Sequence, residues 1–253
     1  MQEQTLKGKV ALVTGGARGL GAATARALAA LGSDVALTYV SSEATAQALV
    51  AELQNMGVRA LAIQNDQAET SLVPAVVQQV KAHFGRLDFL INNAGVAVQG
   101  QTVDAPDLRI QDLDHQWKVN VMGPVAFTRA ASQVMEDGGR IVFIGSGFGS
   151  DVPFPGVADY AASKAALIGY AKGVARDLGP RNITVNVVQP GVMPTDMSKA
   201  VLSDGVPDFL LDLHAIRRIA TLEEVAGTVC FLLGKHAGYI TGETISVSGG
   251  SNI

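Results

Sequence analysis

The sequence predicts an α/β fold, one domain over residues 1–253 built on a doubly wound parallel sheet of about seven strands with helices on both faces. Three observations carry this. Short β-rich apolar runs alternate with longer stretches whose apolar residues recur at helical spacing, always in the same sense. A glycine-rich turn joins the first run directly to the first helical stretch. A chain of 253 residues, 48% hydrophobic, buries roughly 70–75% of its unfolded surface and needs no disulfide or metal to hold a core.

Taken in order, the strands are expected at Lys9–Val13, Val35–Tyr39, Ala60–Ile63, Phe89–Ile91, Arg140–Ile144, Thr184–Val188 and Thr244–Val247. Runs such as Val10-Ala-Leu-Val13 and Ile141-Val-Phe-Ile144 are short and apolar throughout, as strands covered on both faces must be. Helices are expected at Leu20–Leu31, Ser42–Met56, Thr70–His83, Ile110–Met135, Asp159–Leu178 and Leu222–Leu233. Thr221-Leu-Glu-Glu224 reads as a capping box opening the last of them, which gives its paired carboxylates a structural explanation. The segment 194–218, with Pro207 inside it, breaks the alternation and is expected to form a lid over a site. In sheets of this class that site lies beyond the carboxyl ends of the strands.

Composition narrows the function. Nineteen basic against twenty-three acidic residues give a net charge of -4, with no long run of either sign, which argues against a nucleic-acid groove or a polybasic membrane surface. No apolar stretch approaches the ~18 residues that would span a bilayer, and the amino terminus resembles neither a signal nor a transit peptide. A cytoplasmic protein with a small-molecule partner is expected. The single cysteine, Cys230, lies in an apolar setting and reads as a buried hydrophobe. The four histidines, His83, His115, His214 and His236, have no metal-ligand spacing, so no metal is implied.

The residues with chemistry begin at Thr14-Gly-Gly-Ala-Arg-Gly-Leu-Gly21. Such a strand-to-helix turn lets backbone approach a pyrophosphate and aims a helix amino terminus at it, although a glycine turn with no ligand would look the same. A dinucleotide site normally carries an Asp or Glu at the end of the second strand, against the adenosine ribose. Here the strand ends in Tyr39-Val-Ser-Ser42, without a carboxylate, while Arg18 stands in the glycine turn. That balance favours NADP(H) over NAD(H), with an ordinary surface ion pair as the alternative use of Arg18. Tyr160-Ala-Ala-Ser-Lys164 places a phenol and an ammonium one turn apart on a helix face. A nearby cation favours phenolate, so Lys164 is expected to lower the phenol pKa; a plain surface pair is the alternative.

Together these segments resemble the short-chain dehydrogenase/reductase family, and its 3-oxoacyl-carrier-protein reductase and ketoreductase branch in particular. The resemblance is carried by Thr14–Gly21, Asn92-Asn-Ala-Gly95, Asn120, Ser146, Tyr160-x-x-x-Lys164, Gln189-Pro-Gly191 and Thr195. It implies a Rossmann-type fold and reduction of a ketone or 3-oxo compound by NADPH, reversible as alcohol oxidation. Tyr160 would donate the proton, Lys164 would tune it and bond the nicotinamide ribose, Ser146 would hold the substrate oxygen, and Asn120 would maintain a water relay. Gly15, Arg18, Gly19, Leu20 and Gly21 would meet the phosphates, Tyr39, Ser41 and Ser42 the adenosine ribose, and Asp66 and Gln67 the adenine. Asn93, Ala94 and Gly95 would line the ribose side, and Pro190, Gly191, Met193 and Thr195 the nicotinamide. Asn92 and Asn93 could instead bond neighbouring backbone in a turn.

Ser146 and Tyr160 stand fourteen residues apart, one more than the reductase group shows, and Ser150 is the rival serine in the intervening loop. Phe148, Val152, Phe154, Met193 and Phe209 are expected to shape the substrate pocket, though Phe209 suits a core equally well. The resemblance further implies a homotetramer. Two readings compete with the NADP-dependent reductase: a nucleotide-binding sensor or scaffold without turnover, and an NAD-dependent alcohol dehydrogenase.

Overall fold

The protein is described by a computed structural model over residues 5–198 and 207–251. Its seven strands, β1 Val10–Val13, β2 Asp34–Tyr39, β3 Ala60–Gln64, β4 Phe89–Asn92, β5 Arg140–Ile144, β6 Thr184–Pro190 and β7 Thr244–Val247, form one sheet in the order β3-β2-β1-β4-β5-β6-β7. Every pairing is parallel, with Val13 opposite both Leu37 and Ile91 at the centre. The chain winds outward from β1 to β3, then crosses back to β4 on the other side of β1. That reversal opens a crevice at the carboxyl ends of β1 and β4, where ligands bind in sheets of this class.

Both faces of the sheet are covered, and β1 shows why its sequence is apolar at every position. Ala11 and Val13 enter one core, with helices α1 Gly19–Ala30 and α2 Glu43–Asn55 and the last helix, Leu222–Leu233. Val10 and Leu12 enter the other, with α3 Val73–Phe84, α5 Gly123–Val134 and α6 Ala158–Leu178. Alternate residues of a strand point to opposite faces, so a strand sandwiched between helix layers has no polar side. Leu12 and Leu90, both at 0% exposure, each contribute about 1.5–3 kcal/mol of burial.

Most elements lie where the periodicity predicts them, and two differ. The helix expected over Ile110–Met135 is broken: α4 spans Ile110–Trp117, Lys118–Met122 forms a π turn, and α5 begins at Gly123. Pro124 in the first turn of α5 has no N–H, so it makes no α-type bond to the carbonyl of Asn120 four residues back. There is also no room for regular packing at Gly123, where a Cβ would lie 2.9 Å from Gln67. Second, within the expected lid a short helix, α7, covers Asp208–Asp212, while 199–206 lies outside the described residues. The last helix, α8, carries the expected capping box: Thr221 Oγ1 accepts from the Glu224 N–H at 3.2 Å and Glu224 accepts from the Thr221 N–H at 2.9 Å. The Arg218 guanidinium adds a salt bridge that holds the Glu224 carboxyl at about 2. Cys230 is buried as expected, and burial pushes its thiol up to about 12. Among the described residues no helix is long and apolar enough to cross a membrane.

At the amino-terminal end of the sheet, away from the crevice, Asp88 ties the start of β1 to the segment leading into β4. Its side chain is 2% exposed and accepts from Lys9 Nζ at 3.0 Å, the Val10 N–H at 3.0 Å and both Arg86 donors at 2.6 and 2.7 Å. Burial alone would raise its pKa, but the bonds from Arg86, Lys9 and Val10 outweigh it and hold the carboxyl below its ordinary value. The stabilisation is therefore complete above the unfolded-state pKa of an aspartate and disappears as pH falls through the lower native value. Asp88→Asn is expected to lower the unfolding free energy at pH 7 by about 1–3 kcal/mol. In urea titrations the difference from wild type should close as pH drops below about 4.

Candidate active site

The crevice is assembled around the turn from β1 to α1. Thr14 Oγ1 accepts from the N–H groups of Asn93 and Ala94, each at 3.0 Å, and Asn93 Nδ2 donates back to the carbonyls of Thr14 and Gly15 at 2.8 and 3.1 Å. The loop after β4 is thus stapled to the glycine turn. The staple leaves space for glycine only: a Cβ on Gly21 would lie 2.5 Å from the Gly15 carbonyl and 2.6 Å from Asn93 Nδ2. Gly15, at φ +61 and with Ala94 2.9 Å from its would-be Cβ, is equally constrained. Helix α1 opens without a side-chain cap and without an acidic residue in its first turn, so its leading N–H groups and dipole face the crevice ready for an anion.

The catalytic candidates converge on the other side of that crevice. Ser146 leaves the end of β5, its Oγ accepts from the Phe148 N–H at 3.3 Å, and its hydroxyl faces the Tyr160 phenol and favours the phenolate slightly. Tyr160 and Lys164 lie one turn apart on α6, buried at 7% and 4% exposure. The Lys164 ammonium donates to the Ile144 carbonyl at 3.0 Å and sits 5.9 Å from the centre of the Tyr160 ring. Asn120, in the π turn, receives the Val96 N–H and donates to the Val96 carbonyl, both at 2.9 Å, and also donates to Ser163 Oγ at 3.1 Å. Asn120 Oδ1 and Lys164 Nζ both lie 3.3 Å from a Cβ placed on Gly95, so both side chains border the space that Gly95 leaves open. The π turn is the kind of helix defect that often occurs at functional sites.

Burial, not the neighbouring cation, controls protonation here. The expectation that Lys164 lowers the phenol pKa is corrected: desolvation raises the Tyr160 pKa, with only partial relief from the Ser146 hydroxyl. Desolvation also lowers Lys164 to about 8. A charge on either group loses water that the protein does not fully replace, so at neutral pH Tyr160 is a protonated phenol, a donor and not a base.

The remaining candidates divide by what their side chains already do. Ser150, the rival serine, is paired with the Gln189 amide at 3.0 and 3.1 Å and braces its loop to β6. Gln67 Nε2 donates to the carbonyls of Val119 and Ala94, at 2.7 and 3.1 Å, while its buried Oε1 has no partner. Asp66 accepts from the Ala68 N–H at 2.9 Å in a turn. The residue before them, Asn65, follows β3 and likewise has a buried Oδ1 with no partner, an acceptor suited to an exocyclic amine. Sequence reading passed over it because Asn is so common in turns. Thr14 and Ser163 were missed as well; only their spacing to Gly15 and Lys164 hinted at them. Tyr39 is buried in the core, leaving Ser41, exposed, and Ser42, partly buried, at the ribose end. Gly191 packs 3.0 Å, by its would-be Cβ, from Ser248. Met193 rests against the core, and Thr195 closes a turn with Ser198 at 3.0 Å. Leu20 is buried and Pro190 ends β6. Gly19 lies within reach of Thr195, 3.7 Å from its would-be Cβ.

In the expected substrate pocket, Phe148 meets Phe154 edge-on at 5.2 Å and the Tyr160 ring at 6.3 Å, an aromatic wall beside the phenol. Val152 and Phe209 are more than half exposed, so Phe209 is not a core side chain. His214 is buried and bonded through Nδ1 to the Leu210 carbonyl at 2.6 Å. Among the described residues no cluster of three or more His, Cys, Asp or Glu could hold a metal ion.

Comparison with known proteins agrees with this geometry. A family model described as enoyl-(acyl carrier protein) reductase matches residues 15–252. A cyclic-di-GMP-binding biofilm dispersal mediator protein of Escherichia coli is 41% identical over 242 residues, 96% of each chain. A 3-oxoacyl-(acyl-carrier-protein) reductase of Synechocystis is 40% identical over 250 residues, 97% of each chain. Among solved structures, a short-chain dehydrogenase of Burkholderia cenocepacia in complex with NADP superposes with a TM-score of 0.93 at 45% identity, covering 98% of this chain and 100% of that one.

Lys164 is held charged only against its desolvation, and the sign of the resulting linkage is fixed. Its native pKa lies below the unfolded value, so the unfolded chain binds more protons between about 8 and 10.5 and wild-type stability rises with pH across that window. Lys164→Met is therefore expected to raise unfolding free energy by about 1–3 kcal/mol at pH 7. That gain should shrink toward pH 10.5 in thermal melts taken across the range.

Proposed function

The chain belongs to the short-chain dehydrogenase/reductase family, and on that premise we propose that it reduces a ketone or 3-oxo compound to the secondary alcohol with NADPH, reversibly. The carrying observation is the convergence of Ser146, at the end of β5, with the buried Tyr160 and Lys164 one turn apart on α6 and with Asn120 beside Lys164 across Gly95. NADPH, when bound, supplies the hydride. The protein's own part is general acid catalysis and orientation. Ser146 holds the substrate oxygen. Tyr160, protonated at neutral pH, donates to that oxygen as negative charge develops on it. The Lys164 ammonium then stabilises the phenolate left behind. Asn120, its side chain tied to Val96 and Ser163 and its carbonyl relieved of an α-type partner by Pro124, holds a water that returns the proton by way of Lys164.

For the cofactor, the glycine turn and the uncapped start of α1 receive the pyrophosphate, Asp66 and Gln67 meet the adenine with the unpartnered Asn65 oxygen beside them, and Pro190, Gly191, Met193 and Thr195 border the nicotinamide. The absence of a carboxylate in Tyr39–Ser42 leaves nothing there to repel a 2′-phosphate, and the NADP complex of the Burkholderia relative supports that choice over NAD(H). The aromatic wall of Phe148 and Phe154 selects partly apolar substrates, and the segment 194–218 acts as their lid. The E. coli relative's name supports a second reading, a nucleotide-binding sensor. The intact proton-transfer set favours turnover, because a pure binder needs the glycine turn but not Ser146, Tyr160 and Lys164 together.

We further propose a cytoplasmic homotetramer. Ile110 and Met122 on one side, and Phe231 and Tyr239 on another, are large apolar side chains left exposed on a single chain, which is costly unless a second copy covers them. Light scattering should return four times the 26.2 kDa chain mass.

The direct test follows NADPH absorbance with a panel of ketones, 3-oxo esters and a 3-oxoacyl thioester. Tyr160→Phe should cut kcat by about 10²–10⁴ while leaving NADPH affinity unchanged in a parallel titration. Wild-type reduction should be level through neutral pH and decline above about 8, as Lys164 loses its proton. NADPH binding without turnover on any substrate would transfer the protein to the sensor reading.

A further inference from the structure

Arg18, expected to meet the 2′-phosphate, is engaged elsewhere in this structure. Its guanidinium donates to Asp196 Oδ2 at 3.1 Å. The two residues come from opposite margins of the crevice: Arg18 stands at the N-cap of α1 after β1, and Asp196 lies in the loop that leaves β6. The contact is one of a pair, since Thr195 also closes on Gly19 across the same gap.

The position of the 2′-phosphate is set by the ribose end of the site, beyond β2 at Tyr39–Ser42. In the sheet order, β2 lies on one side of β1, whereas β6 lies on the other side, beyond β4 and β5. With strands about 4.8 Å apart, the two anions sit on opposite flanks of the glycine turn, and one guanidinium cannot serve both. None of Tyr39, Val40, Ser41 and Ser42 is cationic, so a charge for the 2′-phosphate has to be brought to that end.

We propose that Asp196 sets the cofactor preference of this chain: it competes with the 2′-phosphate for Arg18, so each NADPH bound must first draw the guanidinium off the carboxylate. NADH, lacking the phosphate, leaves the pair intact and does not meet this cost. Asp196 is thus a specificity-determining residue that acts through Arg18, without touching the cofactor. The pair is exposed, at 67% and 41% of side-chain surface, which limits its strength to the range of exposed ion pairs, up to about 1 kcal/mol. That ceiling corresponds to an effect of about 2- to 5-fold on affinity. The inference rests on the proposed role of Arg18 at the 2′-phosphate.

Calorimetric titration with adenosine 2′,5′-bisphosphate and with 5′-AMP tests it on the whole protein without requiring turnover. Asp196→Asn, an isosteric change at an exposed site, should tighten the bisphosphate about 2- to 5-fold and leave 5′-AMP unchanged. Arg18→Gln should weaken the bisphosphate and erase the gain when combined with Asp196→Asn. Weaker or unaltered bisphosphate binding in Asp196→Asn, or equal shifts for both nucleotides, would overturn the proposal by showing that Asp196 braces the loop or plays no part. Bisphosphate affinity unaffected by Arg18→Gln would overturn it at its premise. Loss of carbonyl reduction in activity assays would strike the reductase reading alone, because these titrations measure only the adenosine half of the site.

Discussion

The close approach of two backbone segments at Thr14 is the constraint on which the site depends. A parallel sheet that reverses its winding direction has to place the turn after β1 against the loop after β4, and both carry polar backbone that no ladder satisfies there. One threonine hydroxyl and one asparagine amide supply the missing partners. Their bonds are short only because Gly15 and Gly21 put no side chain between the strands. The glycines therefore serve two purposes at once. They let the crevice margins lock together, and the same bare backbone is what a pyrophosphate can approach.

From that fixed margin the rest of the machinery is placed by a chain of tied loops. Ala94 and Val119 are joined through the Gln67 amide, Val96 is joined to Asn120, and Asn120 to Ser163 on the helix that carries Tyr160 and Lys164. Ser163 in turn donates to the Tyr160 carbonyl at 2.7 Å. Each link is a buried polar group whose bonds would be expensive to leave unmade. Loops held in this way can present side chains with the precision usually reserved for strands and helices.

The fold was legible because its signal is repeated: the central strands β1, β4 and β5 are buried, largely apolar runs, and every helix but one has its expected span within a few residues. The exception, Ile110–Met135, shows what periodicity cannot reveal. A π turn inserts a defect without changing the apolar spacing around it, and the local causes, Gly123 against Gln67 and Pro124 without a donor, depend on a neighbour 52 residues away in sequence from Val119. The convergence of the candidate catalytic set was legible because Ser146 stands at a strand end and Tyr160 and Lys164 on one helix turn, positions that local pattern determines. The adenine end shows what sequence leaves out: among the adjacent polar residues Asn65, Asp66 and Gln67, only the fold shows that one Asp66 oxygen closes a local turn while Asn65 and Gln67 each keep a buried oxygen without a partner.

Protonation was the part that pattern reasoning reversed, and the reason is general. Counting charges along a helix puts an ammonium next to a phenol and infers a stabilised phenolate. Inside the folded site both groups have lost their water, and the larger effect is the one they share. Burial drives each toward its neutral form, so the lysine is poised near 8 and the tyrosine stays protonated. A poised lysine is more useful than a permanently charged one: small changes in its surroundings shift its proton occupancy, which is what a relay requires of the group behind the acid. The same burial that makes Lys164 a cost to the fold thus makes its proton occupancy responsive, and it leaves the Tyr160 phenol protonated in the resting site.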